Sequence, residues 1–235
     1  MPNNLPWVIT GTPRSGTTYV ADLLTRNGLH TTHERITYSS FVTLSGTGTH
    51  LQPPGESTHR AAPHVRSLRN QHTVIVHLLR PPIDTIASIV ARNLLNNPGV
   101  AEAIEANVPW VLNEPTGPRR AARYWLEWNT LVEGAADLTW RLGEIGPRHV
   151  AALAALTGLT APRYEDVPVP NPGVKRPRIS ADELGSNLYK EVISAANRYA
   201  IPVRVEGPMD RRTQGKEGTP QIVPVKVAKE GEKGK

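Results

Sequence analysis

A short run of residues near the start of the chain has the composition of a phosphate-binding loop. It reads Val-Ile-Thr-Gly-Thr-Pro-Arg-Ser-Gly-Thr-Thr over residues 8–18. Gly11 and Gly16 let the backbone turn tightly and approach a ligand, so the amides of residues 14–18 are expected to point inward at the start of a helix. We predict an anion-binding loop between a strand and a helix. Its candidate binding residues are Arg14, Ser15, Gly16, Thr17 and Thr18.

The spacing of the two glycines matches the Walker loop, in which four residues separate the glycines and a lysine follows. Thr17 stands where that motif has its lysine. Because nucleoside triphosphatases use this lysine on the β- and γ-phosphates, its absence argues against phosphoryl transfer. The positive charge of the loop lies instead at Arg14.

A second candidate segment lies further along the chain, where residues 73–79 form a β-branched, apolar run of strand length. Arg80 follows this run directly, and Pro81 begins a helix. Ligands of open parallel sheets bind at the carboxyl edge of the strands, where Arg80 would lie. Arg80 is suited to bind a phosphate group with two parallel hydrogen bonds, and Ser88 is a candidate to contact the same group.

The two segments together resemble the two cofactor signatures of sulfotransferases. They read Gly11-x-Pro13-Arg14-Ser15-Gly16-Thr17-Thr18 and Arg80-Pro81-x-x-Asp84-x-x-x-Ser88. Enzymes of this family use 3′-phosphoadenosine-5′-phosphosulfate (PAPS), binding its 5′-phosphosulfate on the first segment and its 3′-phosphate on the second. The resemblance, to bacterial and phage-type members, implies a P-loop NTPase-like three-layer α/β fold with a central parallel sheet flanked by helices.

The resemblance also suggests a general base. Residues 29–38 are predicted to form the second strand, and within them Thr-His-Glu-Arg at 32–35 resembles a Gly-His-Glu element that bacterial-type sulfotransferases carry near the acceptor site. Glu34 is the first candidate, because a hydroxyl that attacks sulfur must lose a proton to a nearby group. His33 is the alternative.

Strand alternation limits these two assignments, because neighbouring residues of a strand point to opposite faces. One of His33 and Glu34 would then do no more than pair with Arg35 or Arg14.

In catalysis, Arg14 and the loop amides would stabilise the charge that grows on the bridging oxygen of the leaving nucleotide.

Composition along the chain predicts one α/β domain over residues 1–207 and a disordered basic tail over 208–235, which is rich in Gly, Pro and Lys. Residues 39–72 are rich in Gly, Ser, Thr, Pro and His and predict a long insertion, a candidate lid over the acceptor. The histidines in it, at positions 50, 59 and 64, are interpreted as solvated loop residues rather than metal ligands. The basic segment 174–178 is interpreted either as a 3′-phosphate contact or as a linker.

Overall composition excludes several classes of protein. The 235 residues contain no cysteine, which excludes a disulfide scaffold, a thiolate metal site and cysteine catalysis. Half of the formal charge of +6 falls in residues 204–235, which hold 8 Lys/Arg and 5 Asp/Glu (8 − 5 = +3), so we expect no nucleic-acid partner. The absence of a long apolar stretch predicts no membrane span and a soluble, cytoplasmic protein.

These observations favour sulfuryl transfer from PAPS to an acceptor hydroxyl or amine, with no metal ion. Small molecules, lipids, glycans and peptides are all compatible with this chemistry as acceptors, and the sequence predicts no particular oligomeric state. Two alternatives remain. One is a Mg²⁺-dependent nucleotide kinase or triphosphatase, and the other is a non-catalytic nucleotide-binding module.

Overall fold

A five-stranded parallel sheet runs through the part of the chain that the computed structural model describes, namely residues 5–35, 55–160, 163–168 and 177–201. The strands are β1 (Trp7–Thr10), β2 (Thr31–His33), β3 (Gly55–Ser57), β4 (Val74–Leu79) and β5 (Leu138–Arg141). Their order across the sheet is β2-β3-β1-β4-β5. Strand β1 therefore lies at the centre of the sheet, between β3 and β4.

The register of the central strands brings the two predicted binding segments side by side. Trp7 of β1 pairs with Val74 of β4, and Thr10 pairs with His77, both in parallel orientation. The loop after β1 and the segment after β4 consequently leave the sheet at the same carboxyl edge. This is the edge at which open parallel sheets bind their ligands.

Eight α-helices connect or follow these strands in the described residues. They are α1 (Thr17–Arg26), α2 (Val65–Asn70), α3 (Pro82–Ala91), α4 (Pro98–Asn107), α5 (Gly117–Glu133), α6 (Pro147–Leu156), α7 (Ala181–Leu184) and α8 (Ser186–Arg198). Short 3₁₀ helices cover His59–His64, Leu94–Asn96, Pro109–Asn113 and Leu142–Glu144.

The apolar core forms two clusters, one on each face of the sheet. Val8 packs with Trp125 and Trp128 of α5 in the first cluster. Its neighbour Ile9 packs with Leu23 of α1 in the second. Because successive strand residues point to opposite faces, this division shows helices covering both faces of the sheet. The predicted α/β architecture, a central parallel sheet flanked by helices, is confirmed.

The prediction of a long loop over residues 39–72 is wrong for residues 55–72. Gly55–Ser57 form the fully buried strand β3, and His59–His64 and α2 follow it. A strand of three residues is too short to produce a recognisable hydrophobic pattern, and so this strand is invisible to periodicity. Residues 39–54 lie outside the described residues.

Other predictions reach the described part of the chain only partly. The second strand, predicted over 29–38, covers Thr31–His33, and residues 36–38 lie outside the described ranges. The same holds for the predicted tail, 208–235, and for residues 174–176 of the basic segment. Within the described ranges, no helix is long and apolar enough to cross a membrane.

Candidate functional site

The predicted anion-binding loop connects β1 to α1, and its two glycines are required by contacts as well as by backbone angles. Gly16 is the N-cap of α1 with φ 109°, a left-handed conformation that favours glycine. A Cβ at Gly16 would lie 2.5 Å from Cδ1 of Leu142. A Cβ at Gly11 would lie 2.2 Å from the backbone oxygen of Leu78, on the neighbouring strand. The loop backbone is therefore packed tightly against the edge of the sheet.

Arg14 joins the two predicted binding segments. Its Nε donates a hydrogen bond to Oγ of Ser88 at 3.1 Å, and its backbone oxygen accepts one from Nη1 of Arg80 at 3.1 Å. Arg14 has φ 72°, a conformation that non-glycine residues rarely adopt and that costs about 1 kcal/mol or more. The structure thus brings together three residues that the sequence placed in two separate motifs.

Three hydroxyl groups at the start of this loop are buried without a hydrogen-bond partner among the described residues. They belong to Thr10, the last residue of β1, and to Thr12 and Ser15 in the β1–α1 loop. Buried polar groups in proteins are nearly always hydrogen-bonded, so these three hydroxyls are available to bind water or a polar ligand. Ser15 was predicted as a binding residue. Thr12 was not, because the motif accepts any residue at its position.

His33 contacts the loop from the end of β2. Its Nε2 lies 3.1 Å from Oγ1 of Thr17 and 3.2 Å from Oγ1 of Thr18. Burial lowers the pKa of His33 below its usual value, and this effect exceeds the opposing influence of the Glu34 charge. His33 is therefore a neutral imidazole at pH 7, in hydrogen-bond contact with the hydroxyl groups of the first two residues of α1.

The expectation that Glu34 and His33 point to opposite faces is wrong, because Glu34 is not part of the strand. The residue lies beyond β2 with φ 51°, and this turn places its Oε1 3.9 Å from Nε2 of His33. Its hydrogen-bond partner is not an arginine but His59, whose Nδ1 lies 2.9 Å from the same Oε1. This hydrogen bond is the main reason why the pKa of Glu34 falls to about 2, despite partial burial that acts in the other direction.

His59 and Glu56 are the residues of this region that the sequence did not reveal. His59 is only 6% exposed, so its interpretation as a solvated loop histidine is wrong. Glu56 is fully buried in β3, where it accepts hydrogen bonds from the hydroxyl of Thr32 and the backbone N–H of Arg35. No sequence signal identifies either residue, because both depend on the unrecognised strand β3.

The site therefore has two sides at one edge of the sheet. One side holds Arg14, Arg80 and Ser88 beside the β1–α1 loop, and the other holds a chain of His33, Glu34 and His59. Among the residues that the structure describes, no group of three histidine or carboxylate side chains is arranged to hold a metal ion.

No protein-family model matches the sequence, and no curated protein matches it.

Proposed function

We propose that this protein is a sulfotransferase that uses PAPS as its donor. The observation that carries the proposal is the direct contact between the two motifs, in which Arg14 bonds to Ser88 and Arg80 bonds to the backbone of Arg14. Two arginines with a hydroxyl, next to a helix N-terminus, suit a ligand with anionic groups at two positions. A donor with a 3′-phosphate and a 5′-phosphosulfate is such a ligand.

In the proposed complex, the 3′-phosphate binds Arg80 and Ser88, and the 5′-phosphosulfate lies on the amides at the start of α1. The unpaired hydroxyls of Thr12 and Ser15 support the second assignment, since they are buried in the same loop. Arg14 lies between the two groups. Its guanidinium would stabilise the negative charge that develops on the bridging oxygen of the leaving nucleotide.

The proposed reaction is a single displacement at sulfur. The acceptor oxygen or nitrogen forms a bond to the sulfur atom while the bond from sulfur to the bridging phosphate oxygen breaks. The products are a sulfated acceptor and adenosine 3′,5′-bisphosphate, and the acceptor proton passes to a base of the protein.

We assign that base to Nε2 of His33 rather than to Glu34. An effective base has a pKa near the working pH, and a carboxylate with a pKa of about 2 is a poor proton acceptor. His33 is neutral at pH 7 and contacts the loop hydroxyls of Thr17 and Thr18. The role of Glu34 is then to keep its negative charge beside His33 and stabilise the imidazolium that forms.

A binding experiment tests the donor. Calorimetry should show tighter binding of adenosine 3′,5′-bisphosphate than of ADP, and Arg80→Ala should remove the preference. The loss of a charge-assisted contact of about 1.5–3 kcal/mol corresponds to roughly ten- to a hundredfold in affinity. Arg92→Ala is the matched control, because it removes the same charge just beyond the far end of α3.

Equal affinity for both nucleotides would overturn the proposal, and Mg²⁺-dependent preference for ADP would favour the nucleotide kinase instead. Activity is then measured by transfer of radiolabelled sulfuryl groups from PAPS to a panel of phenol, sugar and amine acceptors. Binding of the bisphosphate without transfer to any of them would favour a non-catalytic nucleotide-binding module.

A further inference from the structure

His59 lies between the sheet and helix α5. It begins the 3₁₀ helix that follows β3, and Thr58 caps this helix by accepting a hydrogen bond from the backbone N–H of Arg60. The backbone oxygen of His59 accepts a hydrogen bond from Nε1 of Trp128 at 3.0 Å, in the buried core. These contacts hold the backbone of His59 against the core, and its side chain is buried there.

The contact between His59 and Glu34 has a defined direction. An ionised carboxylate only accepts hydrogen bonds, so Nδ1 of His59 must be the donor to Oε1 of Glu34. The other ring nitrogen, Nε2, is buried with no hydrogen-bond partner among the described residues. His59 thus uses a buried ring to make one polar contact, and that contact is with a residue beside the proposed base.

We propose that His59 is a positioning residue that holds the Glu34 carboxylate, ionised and in a single orientation, beside His33. This inference rests on the proposed function, in which His33 accepts the acceptor proton. Glu34 needs such a support because it lies past the end of β2 in a left-handed conformation, with a side chain that is 33% exposed. Without the hydrogen bond, its carboxylate would be free to turn toward solvent.

The charges around Glu34 agree with this role. His59, His33 and Arg60 all lower the pKa of Glu34, and the hydrogen bond from His59 is the largest influence. Burial acts in the opposite direction and raises the pKa. Removal of the His59 hydrogen bond should therefore move the pKa of Glu34 up toward its ordinary value.

Two variants of the 235-residue chain isolate the hydrogen bond from the volume of the ring. In His59→Asn, the side-chain amide nitrogen takes the place of Nδ1 and keeps the donor. In His59→Gln, the amide group reaches the place of Nε2 and leaves Glu34 without a donor. Both variants fill the buried site with a polar side chain, so they are matched in size and chemistry better than His59→Ala.

The readout is the titration of Glu34, followed by NMR in protein with labelled glutamate and assigned by loss of the signal in Glu34→Gln. We expect Glu34 of the wild type and of His59→Asn to remain ionised down to about pH 3, and that of His59→Gln to take up its proton at a clearly higher pH. The same titration in His59→Gln and the wild type would overturn the inference. The exposed histidine variant His30→Ala controls for the loss of any histidine.

Kinetics provide the second readout. His59→Gln should lower kcat by up to about a hundredfold and leave the affinity for adenosine 3′,5′-bisphosphate unchanged, and His59→Asn should restore most of the rate. An unchanged kcat in His59→Gln, together with a raised pKa of Glu34, would overturn the positioning role. If the wild type transfers no sulfuryl group, the proposed function fails, and with it the consequence of this positioning for catalysis. The titration of Glu34 still tests the contact itself.

Discussion

The two sides of the site are built in different ways. The side with Arg14 and Arg80 uses two continuous motifs, each at the junction of a central strand and a helix. The side with His33, Glu34 and His59 uses isolated residues at the ends of β2 and β3. These two strands lie together at one edge of the sheet. Anion binding needs backbone amides in one local geometry, and this requirement produces a recognisable motif in the sequence. Proton transfer needs a few side chains at short distances, which distant parts of the chain can supply.

This difference predicts that the two sides can be disabled separately. The first side should control donor affinity, and the second should control the rate of the chemical step. The following variants test that separation, from the largest expected effect to the smallest.

Removal of the proposed base should have the largest effect. His33→Ala should lower turnover by about 10² to 10⁴-fold, because proton transfer to a positioned base contributes that much to the rate. The dissociation constant for adenosine 3′,5′-bisphosphate should change little. Glu34→Gln, measured in parallel, should cost less than His33→Ala. The reverse order of the two losses would return the role of base to Glu34.

The pH dependence of the free energy of unfolding should distinguish the site histidines from a structural histidine, His77 of β4. His77 is buried in β4, with Nε2 bonded to Oδ1 of Asn129 at 3.0 Å, and burial lowers its pKa from 6.5 to about 4. The unfolded chain binds a proton below pH 6.5 and the folded chain does not, so stability is lost as the pH falls from 6.5 toward 4. The loss should reach about 3 kcal/mol.

Denaturant unfolding between these two pH values measures this effect. His77→Asn should flatten most of the pH dependence and lower the stability at neutral pH. His33, His64 and His149 also have lowered pKa values, so a smaller slope should remain. An equally steep slope in His77→Asn would assign the acid sensitivity to the site histidines instead.

Gly11→Ala should displace the backbone of the β1–α1 loop, on the side of the site that holds Arg14 and Arg80. The added Cβ would meet the backbone oxygen of Leu78, which cannot rotate away, so either the loop or the strand must move. We expect a loss of about 1–3 kcal/mol in the free energy of unfolding and weaker binding of the bisphosphate. Gly143→Ala is the control, because a Cβ there meets no atom within 4 Å. Equal melting temperatures for the two variants would contradict this account of the loop.

Ser88→Ala should have the smallest effect and should fall on binding alone. The variant removes one hydroxyl that accepts a hydrogen bond from Nε of Arg14. A hydrogen bond of this kind contributes about 0.5–1.5 kcal/mol, or roughly two- to tenfold in affinity for the bisphosphate. A fall in turnover at saturating donor that exceeds this binding loss would show that the two sides of the site are not separate.

Local patterns predicted the elements that carry strong signals. The apolar residues of 117–133 recur at helical spacing and predict one helix over this range, and the structure has it with those bounds, Gly117–Glu133, 17 residues. The sequence over 181–199 also predicts a single helix, but the structure divides it into α7 and α8 at Gly185, which has φ 75°. Helical periodicity continues across that break, so the pattern alone does not reveal it.

The sequence by itself determined the side of the site that depends on local backbone geometry. A β-branched strand that ends in glycine or arginine and continues into a helix places each motif at the carboxyl edge of the sheet, and the pairing of β1 with β4 then brings Arg14 into contact with Arg80 and Ser88. Tertiary structure decided the other side. The partner of Glu34 is 25 residues away, and a buried strand of three residues brings it within 2.9 Å. Such a contact depends on how strands β2 and β3 pair, and strand pairing is set by the packing of the whole sheet rather than by any local pattern.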